Sequence, residues 1–226
     1  MSAPALVGVG TASRLNAAPD ERARVLPVHP ELADLFPWGG LRRGSTVAVR
    51  GSTSLLLALL AEPTAAGSWA AVVGMPQLGV VAAAELGVAV DRLALIPSVG
   101  SQGSAVVAAL LDGIDLVVVT EGVRLTESHA RRLSARARHR GSVLLPFGPW
   151  PGADLELTCE PAAWDGLDTG YLTHRPVTIH TRGRGAAARG SRASLLLPGP
   201  GGSIEPGPVP FIRPDRHGRR VVEPVW

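Results

Sequence analysis

Apolar and polar positions along this chain fall into two regimes. Between residues 46 and 146, short continuous apolar runs alternate with stretches of helical period, and beyond Asp154 the pattern changes. Residues 46–49 read as a strand entering a glycine turn, and the leucine run 55–61 as the helix that follows, with Glu62, Pro63 and Gly67 breaking it. Residues 69–74 form an unbroken apolar run of the kind expected for a parallel strand buried on both faces. A helix over 80–86 stops at Gly87, and residues 90–97 turn into a third strand. A helix over 104–111, capped by Ser101 or Ser104 and closed at Gly113, precedes a fourth strand at 115–120. A helix over 127–139 with Thr126 as N-cap and a fifth strand at 142–146 complete the series. Five strands alternating with four helices at short spacing predict a parallel α/β sheet covered by helices on both faces. Residues 154–159, 176–181 and 193–197 read as antiparallel edge strands rather than further βα units.

The flanks lack this periodicity. Residues 1–26 read as a mobile N-terminal arm, 27–200 as one domain, and 201–226 as a Pro/Gly/Arg-rich tail with small apolar islands. A chain of 226 residues, 46% of them hydrophobic, is long enough to bury a sizeable core. All 22 basic residues are arginine, which excludes a Schiff base, a lysine general base and any phosphate-gripping lysine. The formal net charge of +3 allows a nucleic-acid partner without requiring one. The single cysteine, Cys159, can form no internal disulfide, the first residues lack the charged and apolar regions of a signal peptide, and the apolar runs are too short to span a bilayer. The expectation is a cytoplasmic protein with no membrane segment.

The glycine turn at Gly51 sits where a phosphate-binding P-loop would sit. Such a loop needs G-x-x-x-x-G-K-[ST], so that backbone N–H groups wrap the phosphates, a lysine reaches them and a hydroxyl holds Mg²⁺. Here Gly51 is followed by Ser52, Thr53 and Ser54, with no second glycine and no lysine before the leucines. The three hydroxyls are expected to cap the helix, although the helix dipole and its free N–H groups leave phosphate binding open. In RecA-type ATPases a carboxylate follows the second strand and another ends the strand after it. The matching positions here are Gly74-Met75-Pro76 and Thr120, neither acidic, with Glu121 one place late and Glu85 inside a helix. Three coincident losses point to an abandoned site, with no catalytic residue and no cofactor.

Two arginine clusters remain. The 127–139 helix carries Arg131, Arg132, Arg136 and Arg138 opposite Ala130, Leu133 and Ala137, so one arc packs on the sheet and the other is basic. That arc is either a solvated face or a contact for an acidic partner or phosphates. Arg182, Arg184, Arg189 and Arg192 lie in or beside a Gly-rich segment between two strands, with no aromatic interleaved for base stacking. The six histidines show no metal-ligand spacing, and no G-x-S-x-G elbow occurs. Four of the tryptophans read as core or packing residues, and Trp226 as either an anchor for a partner groove or a free end.

Taken in order, residues 40–49, the 51–55 turn, 80–88 and 92–97 resemble the RecA core, and together with 151–155 and 183–189 they resemble the actinobacterial ImuA-prime proteins most. The likeness covers residues 26–202. It implies a RecA-like sheet with a degenerate P-loop and a non-catalytic accessory role in SOS-induced error-prone translesion DNA synthesis. It also implies as partners the ImuB-like Y-family polymerase homologue and, through it, the sliding clamp and an error-prone C-family polymerase. Weak DNA binding is a further expectation, and two alternatives stay open: a SulA-type cell-division regulator and a weak DNA-binding RecA-like ATPase.

Overall fold

The computed structural model describes residues 24–166 and 170–207, together with the backbone of 211–214 and 220–223. The expected arm up to Ala23 and the terminal Trp226 lie outside the described residues. The chain enters with β1 (Val25–Leu26), turns through the short helix α1 (Pro30–Ala33), and pairs β1 antiparallel with β2 (Leu41–Arg42). This entry segment is part of the domain: Leu26, Leu32, Leu35, Phe36 and Leu41 are all buried.

A nine-stranded sheet follows. Its members are β3 (Val47–Arg50), β4 (Ala70–Val73), β5 (Leu93–Ile96), β6 (Leu116–Thr120), β7 (Val143–Phe147), β8 (Leu155–Pro161), β9 (Pro176–Gly183), β10 (Arg192–Leu196) and β11 (Glu205–Pro206). They lie in the order β11-β10-β9-β8-β3-β7-β6-β4-β5, the first six in sequence being mutually parallel and β9 to β11 antiparallel. The strand carrying the glycine turn is therefore central, with β7 inserted between it and β6. A separate hairpin pairs β12 (Phe211–Pro214) with β13 (Arg220–Glu223).

Helices cover both faces, as the RecA-like reading requires. On one side α2 (Thr53–Ala65) and α3 (Val80–Glu85) pack with the entry segment over Val47, Val49, Val72, Val118 and Leu145. On the other, α4 (Gly103–Leu110) and α5 (Glu127–Arg140) cover Val73, Val117, Val119 and Leu144. α2 is the central pillar, with Leu55, Leu56, Leu59 and Leu60 completely buried. Each such leucine is worth about 1.5–3 kcal/mol relative to exposure.

Three expectations are corrected. β8 is not an edge strand: it pairs parallel with β3, Val47 opposite Leu155 and Val49 opposite Leu157, and only its other side is antiparallel, to β9. Its period-two alternation arises because one of its faces carries no helix among the described residues, not because it lies at the sheet's edge. Glu62 and Pro63 do not break α2, which carries Pro63 internally and ends before Gly67 at φ +100°. Pro63 lies in the last turn, where the lost N–H costs one bond, and the Thr64 hydroxyl closes the turn by donating to Leu60 O at 2.7 Å. Neither Ser101 nor Ser104 caps α4; a 3₁₀ turn over Gly100–Gln102 runs straight into it. Of the two readings of the tryptophans, the four described ones are packing residues rather than buried core, and Trp150 packs against the core under α4 and α5. Trp38, Trp69 and Trp164 stack with Arg42, Arg92 and Arg175 at 5.2, 5.8 and 5.5 Å from the ring centroids.

Thr126 does cap α5: its hydroxyl accepts from His129 N–H at 3.3 Å while His129 Nδ1 accepts from Thr126 N–H at 3.4 Å. The sheet also continues past Pro200, where Ile204 is buried, β11 pairs with β10, and Gly207 N–H donates to Ser194 O at 3.0 Å.

Candidate functional site

In an open parallel sheet, ligands bind beyond the carboxyl ends of the strands. Here that region begins with the glycine turn, and the turn is short. β3 ends at Arg50 and α2 begins at Thr53, so only Gly51 and Ser52 connect them. A phosphate cradle needs the longer loop of the P-loop motif to wrap its backbone N–H groups around the ligand. Two residues reach from strand to helix and no further.

Both linking residues are already engaged. Gly51 has φ +87°, and a Cβ placed there would run into the carbonyl oxygen of Cys159 on β8. Backbone occupies the side of the turn from which a side chain would project. Ser52 caps α2 through its hydroxyl, which accepts from Leu55 N–H at 3.2 Å. Burial pushes the Cys159 thiol above its ordinary pKa. Thr53 and Ser54 face elsewhere, toward a groove of about 430 Å³ shared with Ala82, Glu85, Leu86, Trp164 and Leu172.

At the acid positions the substitutes have structural roles. Thr120 ends β6, and its hydroxyl donates to the Gly74 carbonyl at the end of β4 at 2.6 Å while accepting from Gly122 N–H at 3.3 Å. Gly74 and Gly122 approach so closely that a Cβ on Gly122 would lie 2.6 Å from Gly74 O. A carboxylate at Thr120 would face a carbonyl oxygen. The late acid, Glu121, lies on the rim of a cleft of about 610 Å³ that also meets Gly51, Gln77 and Gly148. An adjoining cleft of about 500 Å³ is lined by Leu125, Pro146, Phe147, Pro149, Trp150 and their neighbours. Glu85 belongs to the separate groove beside Thr53 and Ser54. Gly51 and Glu121 thus meet one cleft, whereas Thr53, Ser54 and Glu85 line another. Among the described residues no group of three or more His, Cys, Asp or Glu side chains could hold a metal ion.

The arginines sort by their partners. Arg136 grips Asp112, with Nε donating to Oδ1 at 2.8 Å, and Arg140 donates to the same oxygen at 3.0 Å. The hydrogen bond from Arg136 holds the Asp112 carboxyl below the ordinary carboxylate range. Arg131 pairs with Glu127 at 3.1 Å and Arg138 with Asp154 at 3.5 Å. Arg132 makes no ion pair among the described residues. The basic arc of α5 is therefore largely neutralised by acids from its own first turn, from the end of α4 and from the approach to β8. Arg182, Arg184 and Arg189 are exposed, and among the described residues none forms an ion pair.

Sequence reasoning did not find the cleft beside Phe147 and Trp150. The one available signal was the turn-rich 148–152 segment directly after a buried strand, held here by Trp150 Nε1 donating to Ser134 Oγ at 3.0 Å.

Comparison with known proteins gives kinship. The family model described as the MT3502 N-terminal domain matches residues 34–152, from the end of α1 to the loop before β8. Uncharacterized protein Rv3395c of Mycobacterium tuberculosis (strain ATCC 25618 / H37Rv) is 42% identical over 164 residues, covering 67% of this chain and 80% of that protein. With more than half of its 226 residues matched, the chain belongs to the family of the MT3502 N-terminal domain.

Proposed function

We propose that this protein is a non-catalytic RecA-like adaptor of SOS-induced, error-prone translesion DNA synthesis, acting in the cytoplasm and binding an ImuB-like Y-family polymerase homologue. The observation that carries the reading is the two-residue link between Arg50 and Thr53, packed from behind by the Cys159 carbonyl. A fold that keeps strand, turn and helix but cuts the loop to two residues and packs another strand's backbone behind it uses them as scaffold. Its contribution then lies on its surfaces. The mycobacterial relative fits the actinobacterial distribution that the ImuA-prime resemblance implies.

The test is affinity capture with the tagged full chain from DNA-damaged actinobacterial cells. Recovery of a Y-family polymerase homologue together with the sliding clamp supports the adaptor. Recovery of a division GTPase instead would assign the SulA-type role and overturn it.

A further inference from the structure

The second helical layer does not reach across the whole sheet. The core it buries draws its strand residues from β4, β6 and β7, with Ile96 of β5 packed against it, and among the described residues no helix lies over the same face of β8, β9 and β10. On β8 the inward residues Leu155, Leu157 and Cys159 are buried, whereas Glu156, Thr158 and Glu160 look outward. On β9 the outward residues are Thr178, His180 and Arg182, and on β10 Arg192 and Ser194. Register places Arg182 opposite Glu156 and Arg192 opposite His180. Glu156 is already engaged by Arg50 of β3 at 3.0 Å, so two arginines flank one carboxylate.

The Gly-rich segment after β9 extends this face. Arg184 and Arg189 bracket a 3₁₀ turn over Gly185–Arg189 and are exposed. The turn is anchored, because Arg184 N–H donates to Asp154 O at 3.1 Å and Ala187 is buried. Asp154 also accepts from Arg138, which brings the end of α5 to the same corner. Arg50, Arg138, Arg182, Arg184, Arg189 and Arg192 thus surround three carboxylates, Asp154, Glu156 and Glu160. The excess of three positive charges equals the formal net charge of the whole chain, +3.

We propose that this bare sheet face and its 183–191 loop form a binding surface for the phosphate backbone of DNA. The cations that carry it are Arg182, Arg184, Arg189 and Arg192, whereas Arg131 and Arg136 on α5 are occupied by Glu127 and Asp112. Guanidinium groups recognise phosphate by paired hydrogen bonds as well as by charge. No Phe, Tyr or Trp lies on these strands, and the one imidazole, His180, is paired with Glu160 at 3.5 Å, so the surface offers no free platform for unstacked bases. Duplex DNA is therefore bound without sequence preference and at least as well as single strands. This surface is independent of the polymerase-homologue reading, which stands or falls by the capture experiment.

The test is fluorescence anisotropy of the purified full chain with a labelled mixed-sequence DNA duplex and the matching single strand, titrated across salt. Four phosphate contacts give a slope of about −3.6 in log K against log salt, an affinity loss of about 150-fold between roughly 50 and 200 mM. The loop variant R184Q/R189Q, whose exposed side chains make no ion pair among the described residues, should fold normally and halve that slope. R182Q/R184Q/R189Q/R192Q should abolish binding, and R131Q/R132Q on α5 should leave it unchanged. Absence of salt-dependent binding by the wild-type chain overturns the proposal. So does loss of binding in the α5 variant with retention in the loop variant, or binding confined to single strands.

Discussion

Replacing Gly51 with alanine probes the packing behind the turn. At φ +87° a Cβ costs about 1–2 kcal/mol through its clash with the neighbouring carbonyl. The added methyl also meets the Cys159 carbonyl oxygen, which cannot retreat because β8 is paired on both sides, to β3 and to β9. Overpacking of that kind costs about 1–3 kcal/mol more. The expected total is about 2–5 kcal/mol, or a melting-point drop of roughly 5–15 °C for a domain of this size. Gly141, the left-handed cap of α5 at φ +75°, has no atom within 4 Å of its Cβ position. Gly141→Ala therefore incurs only the conformational part, about 1–2 kcal/mol, and the difference between the two variants isolates the contact with β8. Urea unfolding of both variants followed by circular dichroism measures it. Equal losses at the two glycines would refute the claim that strand backbone fills the turn.

The other predictions rest on single interactions. Leu56→Ala, at a fully buried position of α2, should cost about 2–5 kcal/mol by the same unfolding measurement. The Cys159 thiol, 3% exposed and raised in pKa by burial, should resist Ellman's reagent in the native protein and react fully in denaturant; rapid native labelling would show β8 to be loosely seated. Asp112, its pKa depressed by Arg136, contributes stability that is present above its unfolded pKa and is lost as pH falls through the lower folded value. Asp112→Asn should consequently lower the melting temperature at neutral pH, and the gap to wild type should close in the acid range below the ordinary carboxylate pKa.

Much of this fold was legible because its parallel strands are buried on both faces. Leu116 to Val119 and Ala70 to Val73 are continuous apolar runs for that reason, and each became a strand. β8 was misread because Glu156, Thr158 and Glu160 project from a face that no helix covers, and alternation alone does not distinguish an uncovered inner strand from an edge. Pro63 misled because a proline near a helix end removes one backbone bond without stopping the helix. The departure from the P-loop pattern was legible in the missing lysine and acids. What packs behind the turn was not, since Cys159 lies more than a hundred residues after Gly51 and acts through its backbone carbonyl, which carries no residue signature. The pairing of the α5 arginines was equally hidden: Asp112 precedes Arg136 by 24 positions and Asp154 follows Arg138 by 16. Helical spacing shows which arginines share an arc and is silent on which acids the fold brings to meet them.

The central claim is that the strand-turn-helix at Gly51 serves as scaffold and binds no nucleotide. Isothermal titration of ATP·Mg²⁺ into the full-length protein tests it most directly. The account predicts heats of dilution only, unchanged by Gly141→Ala or by Thr53→Ala. Saturable binding at micromolar ligand, abolished by Thr53→Ala in a protein that remains folded, would contradict it.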